Sequence, residues 1–331
     1  PAALTVMAFG ALLAAAAKSA QFPFHTWLPD AMEAPTPVSA LIHAATMVNA
    51  GIYLLARLYP AFADVPGWDT AVTAVGLISA LIAALMAVVA TDLKRLLAYS
   101  TVSQLGYMVY AGGVGGIFAS QFHLLSHAVF KALLFLAAGA IIQSLGTRDM
   151  REMSGVGRQM PFVRAVFIIG AIALVGLPPL NGFWSKELIL EDGLLHGPLW
   201  AYVGMLAGVG LTALYTYRGV SIVFFGKDVL GGRHVHGAGR AMQFSLGVLA
   251  AGTFVTWLFG GGFSRMLASS LPTHGLHEIM TVELILEILS APATYGALGV
   301  ALVGLAAWHW RRFWPWLESG PSWLLRVAES S

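Results

Sequence analysis

Nine stretches of the chain stay apolar long enough to cross a bilayer. The requirement is about 30 Å of hydrocarbon at about 1.5 Å per helical residue. They lie near 2–33, 37–58, 69–91, 95–113, 118–143, 162–190, 198–225, 242–262 and 291–310. In lipid every backbone N–H and C=O needs a partner within the protein, so these stretches are predicted to be helices. A membrane barrel would need short alternating strands, and the pattern shows none. The expected fold is an all-α integral membrane protein of about nine transmembrane helices, two of them discontinuous.

The interruptions are specific. The first span reads "AAAAKSAQFPFHTWLPDAMEAPTPVS", with Pro23, Pro29, Pro35 and Pro37. The sixth reads "ALVGLPPLNGFWSKELIL", with Pro178, Pro179 and Gly182. Proline removes a donor and clashes with the preceding turn, so both helices should break. Each break has a lysine beside it, Lys18 and Lys186, and a tryptophan, Trp27 and Trp184. A pair of broken spans points to a transport site between two internal repeats.

The polar remainder tests this topology. With nine spans, Lys94, Arg95, Arg148, Arg151, Arg158, Arg164, Lys227, Arg233, Arg240, Arg311, Arg312 and Arg326 fall on one side. Arg57 and Arg265 fall on the other. The positive-inside rule makes the first side cytoplasmic.

Composition narrows the class. Of 331 residues, 58% are hydrophobic and 10% charged, and mean hydropathy is +0.76. A soluble domain carries about a quarter charged residues. The absence of Cys excludes disulfides and thiolate-held metals or iron–sulfur clusters in this chain. A net charge of +2 gives no reason to invoke nucleic acid, since the basic residues lie in short loops. The chain opens with Pro1 inside an apolar segment without a basic leader, so it is expected to be a stretch of a longer protein.

Against this background the ionisable residues inside the spans stand out. The helix "QFHLLSHAVFKALLFLAAGAI" carries His123, His127 and Lys131 at i, i+4 and i+8, on one face. Their backbones span about 12 Å. A buried ammonium is costly and needs a polar interior. Histidine titrates near neutrality and lysine deprotonates readily when desolvated, so such a stripe suits a proton relay. Lys94 opens a helix, where a lysine stem can also reach the interface. His43, taken alone, reads equally as a hydrogen-bonded core residue. "HLLSH" also fits the H-x-x-x-H of membrane di-iron hydroxylases, but further clustered ligands are missing, as is the Glu of H-E-x-x-H. His234 and His236 make a two-ligand pair, too few for a metal site.

Longer motifs carry a family resemblance. "KSAQFPFHTWLPDAMEAPTPVSALIHAATMVNAGIYLLAR", "TDLKRLLAYSTVSQLGYM", "FHLLSHAVFKALLFLAAG", "DMREMSGVGRQMP" and "GLPPLNGFWSKELIL" resemble, in order, the antiporter-like membrane subunits of respiratory complex I and of Mrp-type Na+/H+ antiporters. "SQLGYM" and "HLLSHAVFKALLFL" look most like the L (chain 5) type. The resemblance covers roughly residues 10–230, so 1–230 is expected to form the translocating bundle, and 231–331 further spans and a cytoplasmic tail.

The resemblance implies two inverted five-helix repeats and a set of roles. Lys18 would be the central lysine of an inlet half-channel, and His43 its bridge. His123, His127 and Lys131 would form the central relay, with Lys94 on the same path. Lys186 would release protons outward, tuned by Glu187. It also implies that redox chemistry stays in partners: NADH, FMN, Fe–S clusters and quinone are expected there, with no cofactor and no metal in this chain. Partners would be other membrane subunits, including paralogous antiporter-like ones, in a bacterial inner membrane. Departures exist. The glutamate that pairs with the family's first lysine lies on an earlier helix outside this sequence, and Asn49 stands where relatives usually carry Thr or Lys. The expected function is proton translocation in a complex I-like NADH-quinone oxidoreductase. The rivals are the large subunit of a Mrp-type antiporter, a membrane-bound hydrogenase and an inorganic-carbon pump.

Overall fold

A computed structural model describes residues 2–231, 235, 237–271 and 276–310. Among the described residues all regular secondary structure is helical, apart from an isolated bridge between Asp92 and Asp149. The helices are α1 (Ala2–Lys18), α2 (Trp27–Asp30), α3 (Thr36–Ala44), α4 (Asn49–Phe62), α5 (Trp68–Val89), α6 (Leu93–Gly113) and α7 (Ile117–Leu145). They continue as α8 (Pro161–Val175), α9 (Asn181–His196), α10 (Leu199–Phe225), α11 (Arg240–Val255), α12 (Gly260–Ser270), α13 (Thr281–Ser290) and α14 (Pro292–His309).

Both proline-rich spans break as expected. α1 stops at Lys18, and the chain resumes helix as the single turn α2, with the Trp27 indole donating back to the Ala17 carbonyl at 3.1 Å. α8 stops at Val175, and α9 begins at Asn181. Here Gly176 takes φ +90°, a left-handed conformation that favours glycine. A Cβ on Gly182 would run into the Ala173 carbonyl. The two half-helices therefore touch backbone to backbone.

By length and hydropathy alone, part of the expected span count is met. Among the described residues, five segments are long and apolar enough to cross a membrane: Thr36–Phe62, Trp68–Val89, Ile117–Leu145, Leu199–Phe225 and Arg240–Ser270. The pair α13 and α14, bent by 63°, makes at most a sixth, where nine were expected. The physical reasons are local. α1 and α8 are apolar but cut short by their breaks. α6 has 21 residues, but Ser100, Thr101, Ser103 and Gln104 lower its hydropathy. It does not meet lipid along most of its length, since every residue but Arg95 is buried. α5 packs directly on it, where Gly76 and Gly106 bring the two backbones together.

Two further irregularities were not expected. The 37–58 stretch divides into α3 and α4 around residues 45–48, and the 242–262 stretch passes through a 3-10 turn at Thr256–Phe259. The turn is tied inward by Asn181, whose amide donates to Thr256 Oγ1 at 2.9 Å and to the Ser126 carbonyl of α7 at 3.2 Å. Trp257 stacks on Trp184 with centroids 4.4 Å apart.

The basic loops do more than orient the chain. Asp92 caps α6 by accepting from the Lys94 and Arg95 amides at 2.7 and 3.0 Å. Arg148 reaches Glu33 at 2.9 Å and Asp92 at 3.4 Å, and Arg95 reaches Asp30 at 3.4 Å. In the same loop Arg151 hydrogen-bonds Asp149 and holds its carboxyl below the usual range. Buried Arg218 of α10 donates to the Ala90 carbonyl at 2.7 Å, and its guanidinium lies 5.9 Å from the Trp308 ring of α14. The ion pairs fasten the first broken span to α6 and to the α7–α8 loop, and Arg218 ties α10 to the α5–α6 junction. Arg57 donates to the Ser270 carbonyl at 2.8 Å, and Arg265 pairs with Glu278 at 3.2 Å. His234, His236, Arg233, Arg311, Arg312 and Arg326 lie outside the described residues.

A buried line of lysine and histidine

α7 is a continuous helix through the stripe, so His123, His127 and Lys131 share a face as their spacing requires. All three are buried. Lys131 Nζ donates to Ser100 Oγ and to the Leu97 carbonyl of α6, the latter at 3.3 Å. One turn on, both ring nitrogens of His127 are shielded and make no hydrogen bond. Its ring meets Phe130 edge-on at 5.4 Å. The His123 ring follows, its centroid 6.4 Å from that of His127.

His123 joins α7 to both neighbours. Nε2 is 3.0 Å from Gln104 Oε1 of α6, and Nδ1 is 2.9 Å from Ser185 Oγ of α9. Ser185 Oγ is also 3.0 Å from the Asn181 carbonyl. The set accommodates both protonation states. Imidazolium donates to Gln104 Oε1 and to Ser185 Oγ, whose own hydrogen goes to Asn181. Neutral imidazole keeps the bond to Gln104 and accepts from a rotated Ser185 hydroxyl. Neither Gln104 nor Ser185 is a metal ligand of the carboxylate or histidine kind that a di-iron site needs.

Lys186 follows Ser185 at the second break. Its Nζ donates to the Val175 carbonyl at 3.2 Å and lies 4.9 Å from the centre of the Tyr107 ring. The C-terminal carbonyls of a half-helix and an aromatic face both favour a cation there. Glu187 beside it is 2% exposed, and its Oε2 has no hydrogen-bond partner. His43 is fully buried at the end of α3. It packs on Phe135 of α7 with centroids 4.6 Å apart, and its ring nitrogens are also unpartnered. It lies in the field of both Lys131 and Lys94. Electrostatic neighbours thus succeed one another from Lys94 and His43 through Lys131, His127 and His123 to Lys186 and Glu187.

Two candidates are placed differently. Lys94 is buried, but its ammonium donates to the Met32 and Ala34 carbonyls at 2.7 and 2.6 Å. It anchors the first break. Lys94→Met should loosen that segment by about 2–4 kcal/mol, from two charge-assisted hydrogen bonds, while Lys94→Arg keeps part of it. Protease sensitivity around residues 30–36 reads this directly, and unchanged resistance in Lys94→Met would contradict the anchor. Lys18 ends α1 exposed, not buried in the line.

Residues 2–214 match the transmembrane NADH:quinone oxidoreductase/Mrp antiporter family. The chain belongs to that family. It is 48% identical over 231 residues to the chloroplastic NAD(P)H-quinone oxidoreductase subunit 5 of Nymphaea alba, covering 67% of this chain and 31% of the relative. The Mesostigma viride subunit 5 is 49% identical over 220 residues, covering 64% and 34%. The chain therefore spans about a third of the length of these curated relatives. A chain of the Mrp complex from Dietzia sp. DQ12-45-1b superposes with TM-score 0.81 at 34% identity, covering 94% of this chain and 34% of that one. A chain of the membrane-bound sulfane sulfur reductase, an archaeal respiratory membrane complex, gives 0.70 at 28% identity, covering 86% and 57%. The protein is thus an integral, multi-pass, all-helical membrane protein with the antiporter-like fold of this family.

Gln104, Ser185 and Ser100 are hydrogen-bond partners of the α7 stripe that the sequence reading missed. The signal was present in the polar run Ser100, Thr101, Ser103, Gln104, which has no place in a lipid-facing helix.

Proposed function

We propose that the chain is a proton-translocating membrane subunit of a complex I-like NADH:quinone oxidoreductase, moving H+ along the buried lysine–histidine line. The observation that carries this is the junction at His123, which links the α7 stripe through Ser185 to Lys186 on a different, broken helix. The subunit 5 relatives support the complex, and the unpaired nitrogens of His127 and His43 support the chemistry. An imidazole without fixed partners takes and releases a proton without breaking a hydrogen bond. Each transfer moves one positive charge one site along, and the field of that charge lowers the proton affinity of its neighbour. Lys131, His127 and His123 would act in that order, then Lys186 and Glu187. His43 would feed the line, and Lys18 would serve an inlet toward it.

In this reading the chain crosses the membrane nine times, with α6 and the two broken spans counted. Residues 1–230 form the translocating bundle, and α11 to α14 flank it. Paralogous antiporter-like subunits lie alongside in a bacterial inner membrane, although several relatives are chloroplastic. NADH, FMN, Fe–S clusters and quinone act in other subunits, so the whole assembly is the translocase. Driving force reaches this chain as displaced charge.

Two experiments test the reading. Vesicles carrying the assembled complex should acidify on NADH without sodium. If NADH drives nothing and an imposed sodium gradient moves protons, the Mrp-type reading replaces it. Ser185→Ala should slow transport about three- to tenfold, the rate equivalent of one hydrogen bond of about 1 kcal/mol. Ser185→Thr keeps the hydroxyl and should restore much of the rate. Equal rates in Ser185→Ala and wild type would remove Ser185 from the path.

A further inference from the structure

Beyond Lys186 the helix α9 carries Glu187, Glu191, Asp192 and His196 toward the end opposite the basic loops. Glu187 and Glu191 are four residues apart and share a face. α13 packs against this part of α9 and brings Glu287. Glu191 lies in the field of Glu187, Asp192 and Glu287, and Asp192 in that of His196 and Glu287. Exposure rises along the series. Glu187 is 2% exposed, the Asp192 side chain 30% and the His196 side chain 62%. Glu191 is half-buried and Glu287 exposed.

A second observation is independent of the acidic composition. Glu187 Oε2, Glu191 Oε2 and the Tyr110 hydroxyl are all shielded from solvent, and none makes a hydrogen bond to protein. Tyr110 of α6 is fully buried, and its hydroxyl sits against Gly193 and Gly197 of α9, in the field of Asp192. Buried polar groups are normally bonded. Two unbonded carboxyl oxygens one turn apart on α9, with the unbonded Tyr110 hydroxyl facing the next turns from α6, mark a place whose partners are transferable protons and water. A merely solvated acidic helix end would expose these atoms instead.

We propose that Glu191, with Asp192 and Glu287, forms the exit through which protons leave Lys186 and Glu187, ending at His196 and the aqueous phase. This rests on the relay reading above. The steps conserve charge and move no electrons. The Lys186 ammonium gives its proton to the Glu187 carboxylate and becomes a neutral amine. Glu187 as the acid passes it to Glu191, and Glu191 to Glu287 or Asp192, from which water takes it. Tyr110 holds the chain of water and carboxyls in place from the α6 side.

The test uses the assembled complex in sealed vesicles, with NADH-driven acidification as the readout and NADH oxidation by an artificial acceptor as the control for intact redox subunits. Glu191→Gln/Glu287→Gln should lose transport by about tenfold or more, at or below the low side of what a lost proton-transfer group costs. Glu191→Asp should retain most of it. Glu287 is exposed, so Glu287→Gln alone assembles normally and should show a smaller loss. Lys131→Met is run beside them. If it fails while Glu191→Gln/Glu287→Gln pumps like wild type, the exit is wrong and the relay stands. If Lys131→Met itself pumps like wild type, the relay reading falls and the exit falls with it.

Discussion

Lys131→Met should abolish proton transport in the assembled complex while leaving the fold intact. The expected loss is on the order of a hundredfold or more, since a proton-transfer group is removed from the middle of the line. The fold should tolerate the change because both partners keep other bonds. The Leu97 carbonyl still accepts from Ser100 Oγ at 2.8 Å and Thr101 Oγ1 at 3.0 Å, and Ser100 still donates. Methionine fills similar volume and removes a polar head that is costly to bury. Acidification assays paired with thermal unfolding of the purified complex separate the two effects. A melting temperature that collapses with transport would mean that Lys131 is structural.

Gly182→Val acts in the opposite way. Here there is no charge to lose, only backbone contact. The added Cβ meets the Ala173 carbonyl, which is backbone and not the far end of a flexible side chain. Overpacking of this kind costs on the order of 3 kcal/mol or more. α9 should shift away from α8, Lys186 should lose the Val175 carbonyl, and Ser185 should leave His123. The complex should then assemble poorly and melt early. Normal assembly with normal transport would show that the second break is not the rigid joint described here.

The sequence showed the parts of this site that obey a period or a prohibition. Proline and glycine forbid continuous helix at Lys18 and Lys186, and both breaks are where those residues put them. The α7 stripe was legible because three ionisable residues at four-residue spacing share a face on any helix. What stayed hidden depends on tertiary neighbours. The 95–113 span was legible as α6, but not that α5 and α7 enclose it so fully that its polar run faces protein. Ser185 and Gln104 matter only because α9 and α6 meet at His123, and no spacing announces such a meeting. Lys94 reads as an intramembrane charge in sequence, and its hydrogen bonds to the Met32 and Ala34 carbonyls could not be read there because they depend on where the first break folds. The turn at 256–259 and the division of the second span near 45–48 carry no proline to mark them.

The central claim is that His43, Lys131, His127, His123 and Lys186 act in series. A single-turnover measurement tests it most directly. The assembled complex in sealed vesicles receives one pulse of NADH, and dyes on the two sides report proton uptake and release, for wild type, Lys131→Met and Lys186→Met. The account predicts that wild type takes up and releases protons. Lys186→Met takes up protons that it cannot release, and Lys131→Met passes none to the exit side. Release at wild-type yield in either variant would show that protons bypass the line.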